Sequence, residues 1–258
     1  MSPTAPVISA GGIVGAGLST PPVTVASPNG LVSIFGSLFA APGTFKQVSG
    51  SDLVNGKIPT NLAGVCVQVG SMMAPVLVVT PQQLNVQVPT LAPGTYPVQV
   101  MNGCGTANQQ SSNVVSVTIQ ATSPQWFYLP GSTAIAAINA QSGTLIAQPG
   151  SIPGATTVAA KPDDILTLFC TGGGLTNPSF QAGDLPGTAA QVTAAVQVSI
   201  GGVTLPAAKV LYAGVTQDAG LYQVNIQLPA SVTAGNQPVI LTVGGVATPA
   251  GTILIATP

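Results

Sequence analysis

A seven-residue stretch, Gln83-Leu84-Asn85-Val86-Gln87-Val88-Pro89, decides the fold of this chain because it occurs twice. Its second copy is Gln223-Val224-Asn225-Ile226-Gln227-Leu228-Pro229, in which the polar residues are identical and the apolar residues are interchangeable. Polar and apolar residues alternate with a period of two, which is the pattern of a β-strand with one polar face and one face in a core. The repeat therefore predicts two copies of one β-structure in tandem.

Three further pairs of segments keep the same order in both halves of the chain. Residues 28–35 match residues 162–169, residues 65–70 match residues 196–201, and residues 94–98 match residues 235–239. The repeat predicts a first domain at residues 1–121 and a second at residues 122–258, with the boundary near residues 121–124. Residues 1–18, which contain several Gly and Pro, are predicted to form an extended arm of the first domain.

Short segments rich in β-branched residues, separated by turn sequences, predict strands throughout the chain. The predicted strands are 31–35, 65–69, 76–79, 84–88, 97–100, 114–119, 165–169, 196–200, 210–212, 222–228, 239–243 and 252–255. No segment has the period of an amphipathic helix. Many short strands with regular turns predict an all-β chain of two antiparallel β-sandwiches.

The order of strands and turns between Val198 and Gly245 resembles the IPT/TIG branch of immunoglobulin-like domains. The whole chain also resembles a family of C-terminal domains, without assigned chemistry, found on long secreted proteins of acidobacteria. The segments that fit this second family are residues 8–16, 32–36, 160–164, 171–178 and 220–225. The resemblance implies a secreted or surface-located pair of immunoglobulin-like sandwiches and carries over no site residues.

Charged residues are scarce, since four Lys and five Asp make up 3% of the 258 residues and the chain has no Arg, Glu or His. An average soluble domain has about 25% charged residues. Without His, a Ser or Cys nucleophile lacks its usual base, and without Arg there is no bidentate clamp for phosphate or carboxylate. The composition predicts no catalytic residues, no cofactor and no enzyme activity.

The same composition argues against charged partners and metals. With a net charge of −1 and no basic patch, the chain has nothing to neutralise nucleic acid or an anionic membrane surface. The five Asp do not have the spacing of a calcium loop, so no metal site is predicted. The longest apolar run, residues 31–41, is too short to cross a membrane, and the N-terminus lacks the charged and apolar regions of a signal peptide. A removed presequence or another export route is therefore expected.

The three cysteines allow one disulfide. Cys66 and Cys104 lie in the first half, and they are either a disulfide pair or two unpaired small apolar residues. Cys170 lies alone in the second half on the same strand face as Leu166 and Leu168, and it is predicted to be a buried thiol.

Two features could bind a ligand. Trp126 and Tyr128, with Phe127 between them, could stack on a sugar ring, although packing between the two domains is the favoured interpretation. The polar faces of the repeated Gln-Asn-Gln strands could bind a polar ligand or pair with another chain, although simple exposure to solvent is more common.

Near-zero net charge favours association between copies. Only four lysines are present to protect the edges of two sandwiches, so these edges are predicted to invite strand addition, with residues 1–18 donating a strand to a neighbour. The leading hypothesis is a non-catalytic extracellular structural protein that self-assembles, as a homo-oligomer or polymer, into a filament, sheath or surface layer. The alternatives are an adhesive or carbohydrate-binding module and an accessory domain of a larger secreted protein.

Overall fold

The computed structural model describes residues 5–257, which form β-strands joined by turns. The first half contains twelve strands: β1 (Val7–Gly15), β2 (Val25–Ala26), β3 (Leu31–Ser37), β4 (Lys46–Gln47), β5 (Asn61–Leu62), β6 (Val65–Val69), β7 (Met72–Ala74), β8 (Val76–Val79), β9 (Gln83–Gln87), β10 (Gly94–Asn102), β11 (Gln110–Ser111) and β12 (Val115–Ile119). The helices of the described residues are two short 3-10 turns, Gly50–Asp52 and Ala207–Lys209. The chain is all-β, as the sequence predicts.

The second half contains fourteen strands: β13 (Gln125–Trp126), β14 (Ala137–Asn139), β15 (Leu145–Ile146), β16 (Thr157–Val158), β17 (Ile165–Thr171), β18 (Thr176–Asn177), β19 (Ala190–Val192), β20 (Val196–Ile200), β21 (Val203–Thr204), β22 (Val210–Val215), β23 (Tyr222–Gln227), β24 (Gly235–Val243), β25 (Val246–Ala247) and β26 (Gly251–Ile255). All twelve segments that the sequence predicts as strands coincide with strands of the structure.

Each half is a sandwich of two sheets. In the N-terminal sandwich one sheet has the order β1-β3-β9-β8-β4, and the other has the order β2-β12-β10-β6-β5, with β11 beside β10 and β7 beside β6. In the C-terminal sandwich one sheet has the order β16-β15-β14-β17-β23-β22-β19-β18, with β13 beside β17, and the other has the order β21-β20-β24-β25, with β26 beside β24. Pairing between these strands is antiparallel except for β2 with β12 and β15 with β16.

Each sandwich has its own hydrophobic core, made by the inward faces of alternating strands. Leu84 and Val86 lie in the N-terminal core, and Leu166 and Ile226 lie in the C-terminal core. The N-terminal core extends along the chain to Ile119, and the C-terminal core begins at Trp126. The predicted boundary near residues 121–124 lies between these two core residues and stays a prediction.

The two sandwiches use the repeated segments in the same register. Val32 of β3 is opposite Val86 of β9, and at the matching place Leu166 of β17 is opposite Ile226 of β23. Likewise, β10 begins with Gly94 opposite Ile119, and β24 begins with Gly235 opposite Ile255. Residues that match in sequence are therefore structural equivalents.

The predicted extended arm is part of the N-terminal sandwich. Residues 1–4 lie outside the described residues, but β1 pairs with β3 of the same chain at Val7–Ile8 and again at Ile13–Gly15, with an irregularity between the two parts. The outer edge of β1 is also engaged, because the side-chain amide of Asn113 accepts a hydrogen bond from the Ile8 N–H at 2.8 Å and donates one to the Ile8 carbonyl at 3.1 Å. Within one chain this segment therefore pairs with its own sandwich, and strand donation to a neighbour stays a prediction.

Apart from β1 and β26, the sheet edges of the described residues are formed by strands of two or three residues. The edge strands β2, β4, β5, β16, β18 and β21 have two residues each. The longer β26 is bridged on its outer side by Ala134 opposite Thr252 and by Ala160 opposite Ile255. Very short edge strands offer little backbone for an added strand. The expectation that these edges invite strand addition for lack of lysine is therefore not supported by their geometry.

Cys66 and Cys104 form a disulfide, with their Cα atoms 5.9 Å apart. Cys66 lies in β6, and Cys104 lies in the turn after β10, where its N–H donates to the Gly64 carbonyl at 2.9 Å. The disulfide holds this turn against the neighbouring strand.

Cys170 is a buried free thiol in β17, and burial raises its pKa far above the ordinary value. The thiolate is the nucleophile that attacks thiol reagents, so we expect Cys170 to be unreactive in the native protein and fully reactive in denaturant. Labelling with iodoacetamide followed by mass spectrometry measures this directly. Rapid labelling of the native protein would contradict the burial of this side chain.

Candidate functional site

The largest set of buried polar groups lies where the two sandwiches meet. We name this contact the docking interface. It consists of the turn at residues 27–31 and Gln87 on the N-terminal sandwich, and of Thr171, Gly172, Gly220 and residues 180–184 on the C-terminal sandwich.

Gln87 is the central polar residue of the docking interface. Its side chain is buried, its Nε2 donates to the Asn29 carbonyl at 3.0 Å, and its Oε1 accepts from the Gly183 N–H at 2.7 Å. The Gln87 side-chain amide thus holds both the turn at residues 27–31 of its own sandwich and the loop at residues 180–184 of the other sandwich. The polar strand faces were expected to be exposed, but at Gln87 the face is covered by the second sandwich.

The turn at residues 27–31 is shaped to enter the C-terminal sandwich. Asn29 has φ of 62°, a left-handed conformation that Asn tolerates better than most residues. Its Nδ2 donates to the Phe180 carbonyl at 2.9 Å, and its Oδ1 accepts from the Thr90 hydroxyl at 2.8 Å. Every polar atom of the Asn29 side chain therefore has a partner, one of them across the interface.

Close backbone approach completes the contact. The Thr171 hydroxyl accepts from the Leu31 N–H at 2.8 Å and donates to the Gly220 carbonyl at 2.8 Å. A Cβ atom at Gly30 would lie 3.3 Å from the Gly172 Cα, and one at Gly172 would overlap the Ser123 carbonyl oxygen. The backbones of the two sandwiches are therefore close together at Gly30 and Gly172, and the absence of a side chain at Gly172 also leaves room for the Ser123 carbonyl.

Residues 57 and 58 of the N-terminal sandwich make a second group of contacts with residues 183 and 184 of the C-terminal sandwich. The Ile58 N–H donates to the Gly183 carbonyl at 2.8 Å, and Lys57 Nζ lies 2.7 Å from Asp184 Oδ1. This ion pair is partly exposed and adds little stability. The buried hydrogen bonds and glycine contacts hold the two sandwiches in one relative orientation.

We expect Gln87→Ala to lower the free energy of unfolding by about 2–4 kcal/mol, because the buried Gly183 N–H and Asn29 carbonyl would lose their partner. Urea denaturation measures the loss, and hydrogen exchange at Gly183 should become faster. The control is Gln227→Ala, since Gln227 is the repeat equivalent of Gln87 but is only partly buried. Equal effects of the two substitutions would contradict a special role for Gln87.

Trp126 is fully buried in the C-terminal core, and its Nε1 donates to the Val239 carbonyl at 3.2 Å. No face of the indole ring is open, so Trp126 cannot stack on a ligand. The favoured interpretation, packing between the domains, also needs correction. The ring lies within the core of one sandwich, and only its backbone carbonyl closely approaches the N-terminal segment, at Gly17.

Tyr128 lies two residues further on and is half-buried against the C-terminal core. Burial raises the pKa of its phenol above the ordinary value. It lines a cleft of about 650 Å³ between residues 16–20 of the N-terminal segment and residues 127–133. Phe127 and the hydroxyl residues Ser19, Ser132 and Thr133 line the same cleft. An aromatic ring beside hydroxyl groups is a surface of the kind that binds polar rings.

The charged side chains do not form a chemical centre in the described residues. No group of three or more His, Cys, Asp or Glu side chains lies close enough to hold a metal ion within residues 5–257. Asp164 is used locally, since its Oδ2 accepts from the Lys161 N–H at 2.8 Å. In the same part of the chain, neither helix is long and apolar enough to cross a membrane.

The docking interface could not be found from single motifs. Gln87 and Gln227 lie in matching seven-residue segments with the same polar residues, so the local sequence does not reveal that one of them is buried between the sandwiches. The signal that does exist is the difference between the matching turns, Asn29-Gly30 in one copy and Asp163-Asp164 in the other.

An IPT/TIG domain is found at residues 19–119, within the N-terminal sandwich. The resemblance that the sequence shows between Val198 and Gly245 lies in the other sandwich. No curated protein matches the chain. The resemblance of the whole chain to the acidobacterial family stays a prediction.

Among solved structures, the chain is similar to SGBP-B of the Bacteroides ovatus mixed-linkage glucan utilization locus, in complex with a mixed-linkage heptasaccharide. The sequence identity is 11% and the TM-score is 0.32. The match covers 91% of this chain and 44% of that chain. It is similar to gamma-CGTase from alkalophilic Bacillus clarkii at 12% identity, 99% and 26% coverage and a TM-score of 0.30. It is also similar to domains 5–6 of the S-layer protein SbsC at 13% identity, 98% and 100% coverage and a TM-score of 0.29. The chain thus spans less than half the length of the first two proteins. TM-scores of this size carry no argument about function.

Proposed function

We propose that this chain is a non-catalytic extracellular structural protein, a rigid two-sandwich subunit that self-assembles into a filament, sheath or surface layer. The observation that carries the proposal is that the chain exposes many large apolar side chains and has few charged ones. Thirteen large apolar side chains of the described residues are exposed, among them Phe45 at 72%, Val203 at 67% and Val54 at 60%. The whole chain has only nine charged residues to oppose association.

Two further features support a structural role outside the cell. The Cys66–Cys104 disulfide is typical of oxidising compartments. The docking interface gives the two sandwiches a fixed orientation, which a load-bearing or spacing subunit requires.

Negative-stain electron microscopy of the purified protein, with sedimentation velocity at low and high salt, tests the proposal. We expect ordered assemblies that persist at high salt, because apolar contacts are not screened. Phe45→Asp and Val203→Asp should reduce assembly, whereas Ser71→Asp, a charge added in an exposed turn, should leave it intact. A wild-type protein that stays monomeric at high concentration would overturn the proposal.

The cleft beside Tyr128 favours a second candidate, a carbohydrate-binding or adhesive module. A glycan array with the wild-type protein and the Tyr128→Ala variant tests this function. The control is Tyr96→Ala, which removes a partly buried tyrosine ring of the N-terminal sandwich, far from the cleft in sequence. Saturable binding that is lost only with Tyr128→Ala would favour recognition over assembly, and binding to no glycan would exclude glycan recognition at this cleft.

A further inference from the structure

The C-terminal sandwich has its own copy of the turn that enters the docking interface. The turn at residues 161–165 matches the turn at residues 27–31, and Asp163 has φ of 65° where Asn29 has 62°. The Asp164 N–H donates to the Lys161 carbonyl at 3.1 Å, as the Gly30 N–H donates to the Ser27 carbonyl at 3.1 Å. The two turns have the same backbone conformation.

The strand beside the turn is also the same in both copies. The Val88 N–H donates to the Gly30 carbonyl at 2.8 Å, and the Leu228 N–H donates to the Asp164 carbonyl at 2.9 Å. The Gln87 side chain donates to the Asn29 carbonyl at 3.0 Å, and the Gln227 side chain donates to the Asp163 carbonyl at 3.5 Å. The end of the C-terminal sandwich thus keeps the backbone geometry that docks a sandwich in the N-terminal copy.

The side chains of the two ends differ in charge. Where the docking turn has Asn29 and Gly30, the second copy has Asp163 and Asp164. Gln87 Oε1 accepts a hydrogen bond from the Gly183 N–H of the other sandwich. The corresponding Gln227 Oε1 accepts a hydrogen bond from Lys209 Nζ, in its own sandwich, at 2.9 Å.

This end carries an unusual share of the charges. Lys161, Asp163, Asp164 and Lys209 are four of the nine charged residues of the chain. Docking would remove the two adjacent carboxylates from water, and an unpaired buried carboxylate is strongly unfavourable. A side chain at position 164 would also meet the incoming backbone, as a Cβ at Gly30 would lie 3.3 Å from the Gly172 Cα.

We propose that the end of the C-terminal sandwich at residues 161–165, with Gln227, is a sealed copy of the docking surface. It has the geometry to bind a sandwich of a second copy of this chain, and its charged side chains prevent that binding. The surface that it would otherwise meet is the far end of the N-terminal sandwich, where the exposed Ser37 occupies the position that corresponds to Thr171. The inference is linked to the proposed function in one respect: if the chain self-assembles, the contacts between copies must use surfaces other than residues 161–165 and Gln227.

The test removes the seal in the full chain. The variant Asp163→Asn, Asp164→Gly, Lys209→Met takes away two Asp and one Lys at this end. We expect sedimentation velocity to show a weight-average mass at least about twofold above that of the wild type at high concentration, as for a head-to-tail contact. The control is Lys46→Met, Asp52→Asn, Asp218→Asn, which removes the same charges elsewhere and should sediment like the wild type. An unsealed variant that sediments like the wild type would overturn the proposal, as would an equal rise in the control.

The reverse exchange tests the same idea inside one molecule. Asn29→Asp with Gly30→Asp places the seal in the docking turn, and we expect small-angle X-ray scattering to show a larger radius of gyration and protease to cut residues 120–124 faster. An unchanged scattering profile would overturn the proposal.

Failure of the proposed function is distinguishable from failure of this inference. A monomeric wild type removes the assembly proposal and leaves the sealed end standing. Wild-type assemblies whose contacts run through residues 161–165 in an electron-microscopy reconstruction would overturn the sealed end and leave the assembly proposal standing.

Discussion

Trp126→Ala is expected to lower the free energy of unfolding by about 3–5 kcal/mol, the usual range when a fully buried large aromatic side chain is truncated. The ring has no exposed surface and lies among the core residues of the C-terminal sandwich. A Cβ atom added at Gly251 would lie 3.3 Å from its Cδ1, which shows how closely β26 packs on it. The substitution would leave a large cavity and would also remove the hydrogen bond to the Val239 carbonyl.

Urea denaturation followed by circular dichroism measures this loss, and Tyr128→Ala is the control. Tyr128 is half-buried, so its truncation should cost less than half as much. Any change in ligand binding by Trp126→Ala would follow from this loss of structure, whereas Tyr128→Ala tests recognition with the core intact. A loss below about 1 kcal/mol for Trp126→Ala would contradict the packing described for the ring, because a site of this depth does not collapse at so small a cost.

Alternation and repetition were sufficient to predict the fold class. The period of two in the Gln-Asn-Gln strands reflects a sheet with one face in a core, and this physical cause acts within a few residues. The apolar members of the repeat, such as Leu84 and Val224, are accordingly buried in their cores. The all-β, immunoglobulin-like prediction is confirmed.

What the strand pattern could not predict depends on contacts between distant segments. Gln87 and Gln227 lie in matching segments with the same polar residues, and the presence of another sandwich buries the first. Trp126 lies at the domain boundary, where its position favours packing between the domains, but its side chain enters the core of the sandwich that follows. Long-range packing of this kind leaves no periodic signal in a single sequence.

The N-terminal segment is a third feature that the strand pattern could not predict. Residues 8–15 are rich in Gly and small residues, so their pattern does not predict a strand. The segment becomes β1 because β3 lies beside it and the Asn113 amide holds Ile8 from the other side. A partner supplied by tertiary structure outweighs a weak local preference.

Loss of the Cys66–Cys104 disulfide is expected to lower the free energy of unfolding by about 4 kcal/mol, from the entropy of closing a loop of the observed 38-residue separation. The double variant Cys66→Ala, Cys104→Ala should therefore unfold at a lower urea concentration than the wild type. The disulfide joins β6 to the turn after β10, two strands that already pair, so the native fold should persist in the absence of denaturant.

Reductant provides the matched comparison for this prediction. Dithiothreitol should lower the unfolding midpoint of the wild type to that of the double variant and should leave the double variant unchanged. Cys170 does not interfere, since it forms no disulfide and is buried. Because the docking interface couples the two sandwiches, hydrogen exchange should rise first in β6 and β10 and then, at higher urea, in both sandwiches together. A wild-type midpoint that does not respond to dithiothreitol, after mass spectrometry has shown that Cys66 and Cys104 are reduced, would mean that the disulfide adds nothing to a turn already held by the pairing of β6 with β10.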